Sequence, residues 1–78
     1  QAAAVARERS RFVAALPDIA WFQRQLEQLG YPTPQSGELD QATRNVLAAF
    51  QMKYRPARYD GEPDAESAAI LQVLNQSS

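Results

Sequence analysis

The sequence has no cysteine and no histidine in its 78 residues. Without cysteine there is no disulfide framework, so stability must come from packing. Without thiolate or imidazole the usual zinc ligand sets, cysteine nucleophiles and histidine-based triads are excluded. Carboxylates remain, so composition alone does not exclude a hard-cation or glycosidase-like site. An excess of one charge is missing too. Eight Lys and Arg against nine Asp and Glu give a net charge of −1, which makes no strong field for nucleic acid or anionic lipid. No apolar run approaches the roughly 18 residues that a membrane-spanning helix needs. No period-two alternation lasts long enough to demand a sheet. The start at Gln1 rather than Met, with no basic leader and apolar signal core, reads as a processed protein or an excised domain, its address encoded elsewhere.

What is present points to one small helical domain. An apolar share of 45% argues against disorder. A chain of this length buries only about 60% of its unfolded surface, which suits one compact core and excludes a large α/β enzyme. Residues 2–16 favour helix, with Val5, Phe12, Val13 and Leu16 expected on one face and Arg7, Glu8 and Arg11 opposite. Pro17 ends that pattern. Residues 1–17 therefore read as an N-terminal helix or an interdomain connection, and 18–78 as a three-helix domain. The alternative for the first segment is a linker held helical only by a neighbouring domain. Asp18 is placed to cap the next helix, whose stripe is Ile19, Phe22, Leu26 and Leu29, with Trp21 at its edge. Arg24, Gln25, Glu27 and Gln28 fall on its wetter sides. Gly30 supplies the left-handed exit, and Tyr31 and Pro32 leave the helix.

A repeat follows. Gly37-Glu38-Leu39-Asp40-Gln41-Ala42-Thr43 recurs twenty-four residues later as Gly61-Glu62-Pro63-Asp64-Ala65-Glu66-Ser67. In each copy glycine permits the turn and aspartate caps a new helix. The hydroxyl of Thr43 or Ser67, three residues on, can return a bond to the cap, as in a capping box. The first copy should launch a helix over about 41–54 that buries Val46, Leu47, Phe50 and Tyr54. The second should launch one over about 65–75 with Ala69, Ile70, Val73 and Leu74 inward, and Asn75 to Ser78 should fray. The prolines and glycine of 55–64 predict a structured loop.

Asp40, Asp64 and Glu66 could be nominated as catalytic carboxylates, but capping accounts for both aspartates without chemistry. Lys53 has no motif linking it to Thr43 or Ser67 as a base, so the sequence does not read as a self-contained hydrolase. The functional asymmetry lies around the last loop, where Lys53, Arg55 and Arg58 interleave with Tyr54 and Tyr59. Arginine can clamp a carboxylate, tyrosine can cover a sugar or peptide face, and Gln51 adds a neutral donor and acceptor. Ordinary surface charge around one core tyrosine is the competing reading.

One combination of residues resembles a known family. Phe22-Gln23, Leu26, Leu29-Gly30-Tyr31, Gly37, Leu39, Asp40, Thr43, Val46 and Phe50-Gln51 follow the pattern of the peptidoglycan-binding domain type 1 over about 19–55. The tail from Phe50 to Leu74 looks like the third helical unit of that domain in AmpD/AmiD-type N-acetylmuramoyl-L-alanine amidases, which extends the likeness to about 12–76. The resemblance implies a compact all-α three-helix bundle with an additional N-terminal helix. It also implies a noncatalytic module that binds peptidoglycan, both muropeptide stem and glycan, and keeps an attached amidase domain near its substrate. Zinc and its histidines would belong to that catalytic domain, with no cofactor in this segment. The setting implied is the bacterial cell envelope, periplasmic or outer-membrane associated, with no nucleic acid and no membrane span. On this reading a groove beside the second helix and the 55–62 loop holds the ligand. Arg55 or Arg58 meets a stem-peptide carboxylate, and Tyr31, Tyr54 or Tyr59 packs on the muropeptide. The other reading is a structural interdomain docking module that uses the apolar stripe of residues 5–16.

Overall fold

The computed structural model describes residues 2–77 and contains four helices: α1 (Ala2–Ala14), α2 (Ile19–Gln28), α3 (Gln41–Tyr54) and α4 (Ala65–Ser77). There is no strand among the described residues, and the chain is an all-α bundle with an extra N-terminal helix. α1 lies along α4, and α2 packs against both α4 and α3. The exposed surface, 4501 Å², falls close to the about 4,700 Å² that size scaling gives a folded chain of this mass.

α4 is the central element because it has neighbours on more than one side. Ser67, Ala68, Ala69 and Leu71 are fully buried and Val73 nearly so. A helix apolar around most of its circumference belongs in the interior. The single inward stripe expected from periodicity is therefore too narrow. Leu71 and Ala68 join the core, while Ile70 and Leu74 are only partly covered. Nor does α4 stop at residue 75. It continues to Ser77, and the Asn75 amide donates to Gln25 Oε1 at 2.8 Å and to Gln25 O at 3.2 Å. Those bonds tie the end of α4 to α2 and leave Gln25 half-buried. Ser78, also expected to fray, lies outside the described residues.

The predicted cap and core of α2 are in place. Asp18 accepts from Trp21 N at 3.0 Å. Phe22 and Leu26 are fully buried, as are Leu47 and Phe50 from α3. Gly30 takes φ 98°, and Tyr31 N donates to Leu26 O at 3.0 Å to close the helix end. Two aromatic groups fill the interior. Trp21 meets Phe12 at 5.4 Å and Phe22 at 5.2 Å, and Phe50 meets Tyr31 at 6.1 Å and Tyr54 at 4.9 Å between ring centroids.

α1 departs from its predicted face. Phe12 is 6% exposed and Val5 packs on the core, but Val13 is 67% and Leu16 47% exposed. Val13 is one step of about 100° around the helix from Phe12. The helix ends at Ala14, before Leu16 can rejoin the stripe. The covered side instead takes in Glu8, between Val5 and Phe12, whose carboxylate meets Arg11 at 3.1 Å.

Candidate functional site

The repeated corners are built alike, and each is gripped by a glutamine from the preceding helix. Gln23 of α2 is fully buried. It donates through Nε2 to Thr43 Oγ1 at 2.9 Å and Glu38 O at 3.2 Å, and accepts from Gly37 N at 2.8 Å. Gln51 of α3, also fully buried, donates to Ser67 Oγ and Glu62 O, each at 2.9 Å, and accepts from Gly61 N at 2.9 Å. One side-chain amide thus fixes the turn glycine, the following carbonyl and the helix-start hydroxyl together. α3 ends one such unit and begins the next.

This grip revises one expectation and extends another. Gln51 was nominated as a ligand contact, but both its amide atoms are committed and it has no surface to offer. The hydroxyls of Thr43 and Ser67 do return a bond to their caps, through the carboxylates of Asp40 and Asp64, and each also accepts from a glutamine. The caps themselves hold. Asp40 accepts from Thr43 N at 2.9 Å and Asp64 from Ser67 N at 2.8 Å. Bonds from the Thr43 hydroxyl and N–H keep the Asp40 carboxyl below its usual range. At Asp64 burial pushes upward, but the Ser67 N–H and hydroxyl and the Arg55 guanidinium outweigh it, and the net shift is down.

The nominated surface residues do not form one patch. Arg55 is 11% exposed. It bonds Asp64 Oδ2 at 2.8 Å and the Arg58 carbonyl at 2.9 Å, with Glu66 Oε1 at 3.6 Å. That arrangement pins the loop to the start of α4, and Nη2 stays buried without a hydrogen-bond partner. Arg58 is outside, 62% exposed and paired with Asp60 at 2.8 Å, which raises its pKa. Tyr54 covers Phe50 with one face and is 36% exposed, so it is an edge rather than a core residue, with Lys53 Nζ 5.3 Å from its ring. Tyr31 is half-buried against Phe50. Tyr59 is 51% exposed and lines neither hollow described next.

Two adjoining hollows mark the accessible site. The larger, about 710 Å³, runs between α1 and α4 to the end of α3. Its walls are Ala2, Val5 and Ala6 from one side, and Ile70, Val73 and Leu74 from the other, with Tyr54 at the end. The smaller, about 240 Å³, is lined by Val13, Arg55, Arg58, Asp64 and Ala65. Arg9 and Glu66 line both. Of the groove expected beside the second helix and the 55–62 loop, the loop supplies Arg55 and Arg58 to the smaller hollow, while the larger lies between α1 and α4 and no residue of α2 lines either. Sequence periodicity missed Arg9, because it treated the charged side of α1 as solvated.

The chemistry of this surface is recognition: an apolar trough, an aromatic end wall and a few charged groups at the rim. No group of three or more Asp, Glu, His or Cys among the described residues is placed to hold a metal ion. No helix among them is long and apolar enough to cross a membrane. A small helical binding module is the class this fold and surface define. The chain belongs to the family described as "Putative peptidoglycan binding domain", which matches residues 16–71, from just before α2 into α4. Peptidoglycan is accordingly its partner and the cell wall its setting. It is also 55% identical over 31 residues to the N-acetylmuramoyl-L-alanine amidase AmiD of Escherichia coli strain K12. That stretch is 40% of this chain and 11% of the amidase, so the chain spans about a tenth of that relative's length.

Proposed function

We propose that the chain is a noncatalytic module that binds the muropeptide stem and glycan of peptidoglycan and holds an attached zinc N-acetylmuramoyl-L-alanine amidase at the wall. The observation that carries this reading is the family match running from α2 into α4. The stretch shared with AmiD supports the attached amidase. Zinc belongs to that catalytic domain, because this chain has no histidine or cysteine to ligate it. The setting is the bacterial envelope, periplasmic or outer-membrane associated. Tethering raises the enzyme's effective substrate concentration without touching the reaction.

Among the nominated residues, Tyr54 and Arg58 are the ones with both access and a hollow to serve. Tyr54 lays an aromatic wall beside the sugar or peptide face, and Arg58 meets a carboxylate. Arg55 holds the loop on which Arg58 sits. Sedimentation with purified sacculi tests this. The folded wild type pellets with sacculi, and Arg58→Ala binds about tenfold more weakly, as expected for one charge-assisted bond. Absence of wild type from the pellet refutes binding, and undiminished binding by Arg58→Ala rejects that contact.

The exposure of Val13 and Leu16 favours a second role, docking of α1 on the attached domain. Hydrogen exchange in residues 2–16 then slows when that domain is present. Equal exchange in the two forms counts against docking.

A further inference from the structure

The boundary between the two hollows carries an observation that the family match does not. α1 lies wholly outside residues 16–71, yet it supplies one wall of the larger hollow and the cation at its mouth. Arg9 is exposed and makes no ion pair among the described residues. Facing the same two hollows is Glu66, its side chain 44% exposed, with Arg55 3.6 Å away as its nearest cation. A cation and an anion on opposing helices thus stand at the end of an aliphatic trough. The trough is of the size that encloses a small ligand.

We infer that this trough binds an aliphatic side chain ending in a free α-amino acid head, its methylenes against Val5, Ile70 and Leu74, its carboxylate on Arg9 and its ammonium on Glu66. The inference rests on the peptidoglycan reading above and names the stem-peptide residue that reading would engage, a diamino acid. Burial of the methylenes supplies affinity and no discrimination between end groups. Discrimination comes from the two charges, because a head that lacks either group forgoes one charge-assisted bond at the mouth of the trough. α1 is therefore part of the ligand site as well as a brace for α4.

Three tripeptides separate the terms: one with meso-diaminopimelate at its third position, one with lysine there, which lacks the carboxylate, and one with 2-aminopimelate, which lacks the ammonium. Titration of the 78-residue chain by calorimetry should show the diaminopimelate peptide binding about tenfold more tightly than either of the others. Arg9→Gln should erase its advantage over the lysine peptide, and Glu66→Gln its advantage over the aminopimelate peptide. An unchanged urea midpoint shows that each variant is folded. Equal binding of all three peptides, or a preference that survives both substitutions, overturns the inference. Sacculus sedimentation of the wild type runs in parallel. Pelleting with indifferent peptides sinks this inference alone, whereas no pelleting sinks the peptidoglycan reading.

Discussion

The corner at 36–43 and the corner at 60–67 have the same skeleton and different surroundings. In both, a positive-φ glycine donates to a helix glutamine, a carbonyl and a hydroxyl accept from it, and an aspartate caps the next helix. The difference lies in what else holds the aspartate and how deep the glycine sits. Asp40 takes its second bond from Ser36 at 3.0 Å, whereas Asp64 takes it from Arg55 at 2.8 Å. Gly37 is exposed, whereas Gly61 is buried against Arg44. The first corner is a surface turn whose aspartate is in no ion pair among the described residues. The second is a buried, charged joint beside both hollows. The skeleton makes the fold, and what was added to the second copy shapes the candidate binding surface.

The largest expected effect tests that difference in depth. Gln51→Leu keeps the volume but takes a partner from the Gly61 N–H, the Glu62 carbonyl and the Ser67 hydroxyl. Water can reach the carbonyl of exposed Glu62, but Gly61 and Ser67 are buried and each stranded buried group costs about 1–3 kcal/mol, so the loss should be about 3 kcal/mol. Gln23→Leu removes the matching bonds, but Gly37 and Glu38 are exposed and water can replace the amide there. Its loss should be about half as large. Urea unfolding of both variants measures this, and equal losses would mean that depth does not distinguish the corners.

These glutamines also mark where the sequence stops being legible. The glycines, the aspartate caps, the helices and Phe50 at the centre follow from local rules, because turn geometry and capping act over three or four residues. A buried amide acts across the fold. Gln23 reaches a glycine fourteen residues on, Gln51 one only ten on, and that unequal spacing hides the longer repeat. Its trace is the pair Phe22-Gln23 and Phe50-Gln51, twenty-eight residues apart while the corners are twenty-four apart. The ion pairs of Arg55 escape local reading for a related reason. Its nomination as a ligand clamp came from its tyrosine and arginine neighbours in the chain, whereas Asp64 and Glu66 reach it only after the loop has folded back. The larger hollow lay beyond local reading altogether, since it needs α1 laid along α4.

A smaller effect separates the two glycines. Gly37 has φ 79° and nothing within 4 Å of where a Cβ would sit, so Gly37→Ala pays backbone strain alone, about 1 kcal/mol. Gly61 has a similar φ of 76°, but its Cβ would fall 2.7 Å from the Arg44 carbonyl oxygen and 2.5 Å from Arg44 Cγ. The side chain can yield and the carbonyl in α3 cannot, so Gly61→Ala should cost about 2–3 kcal/mol. Thermal unfolding ranks the pair. A Gly61→Ala penalty no larger than that of Gly37→Ala would show that the second corner is looser than its geometry.

The smallest effect is in acid, and there the corners should part by partner rather than by depth. Asp40 and Asp64 both have carboxyl pKa values below the reference of 3.8, so the unfolded chain takes up their protons first as pH falls. Stability from each is complete above about pH 5 and drains away as pH drops through the folded value. Protonated Asp40 loses bonds on a wet surface. Protonated Asp64 also leaves Arg55, 11% exposed, without its nearest carboxylate, so charge is stranded as well. Asparagine at either position still caps its helix near neutral pH. Asp64→Asn should therefore remove more of the fall in urea midpoint between pH 6 and 3 than Asp40→Asn does. Identical acid profiles for the two variants would mean that the arginine adds nothing to the second corner's stability, leaving its role in positioning the loop that carries Arg58.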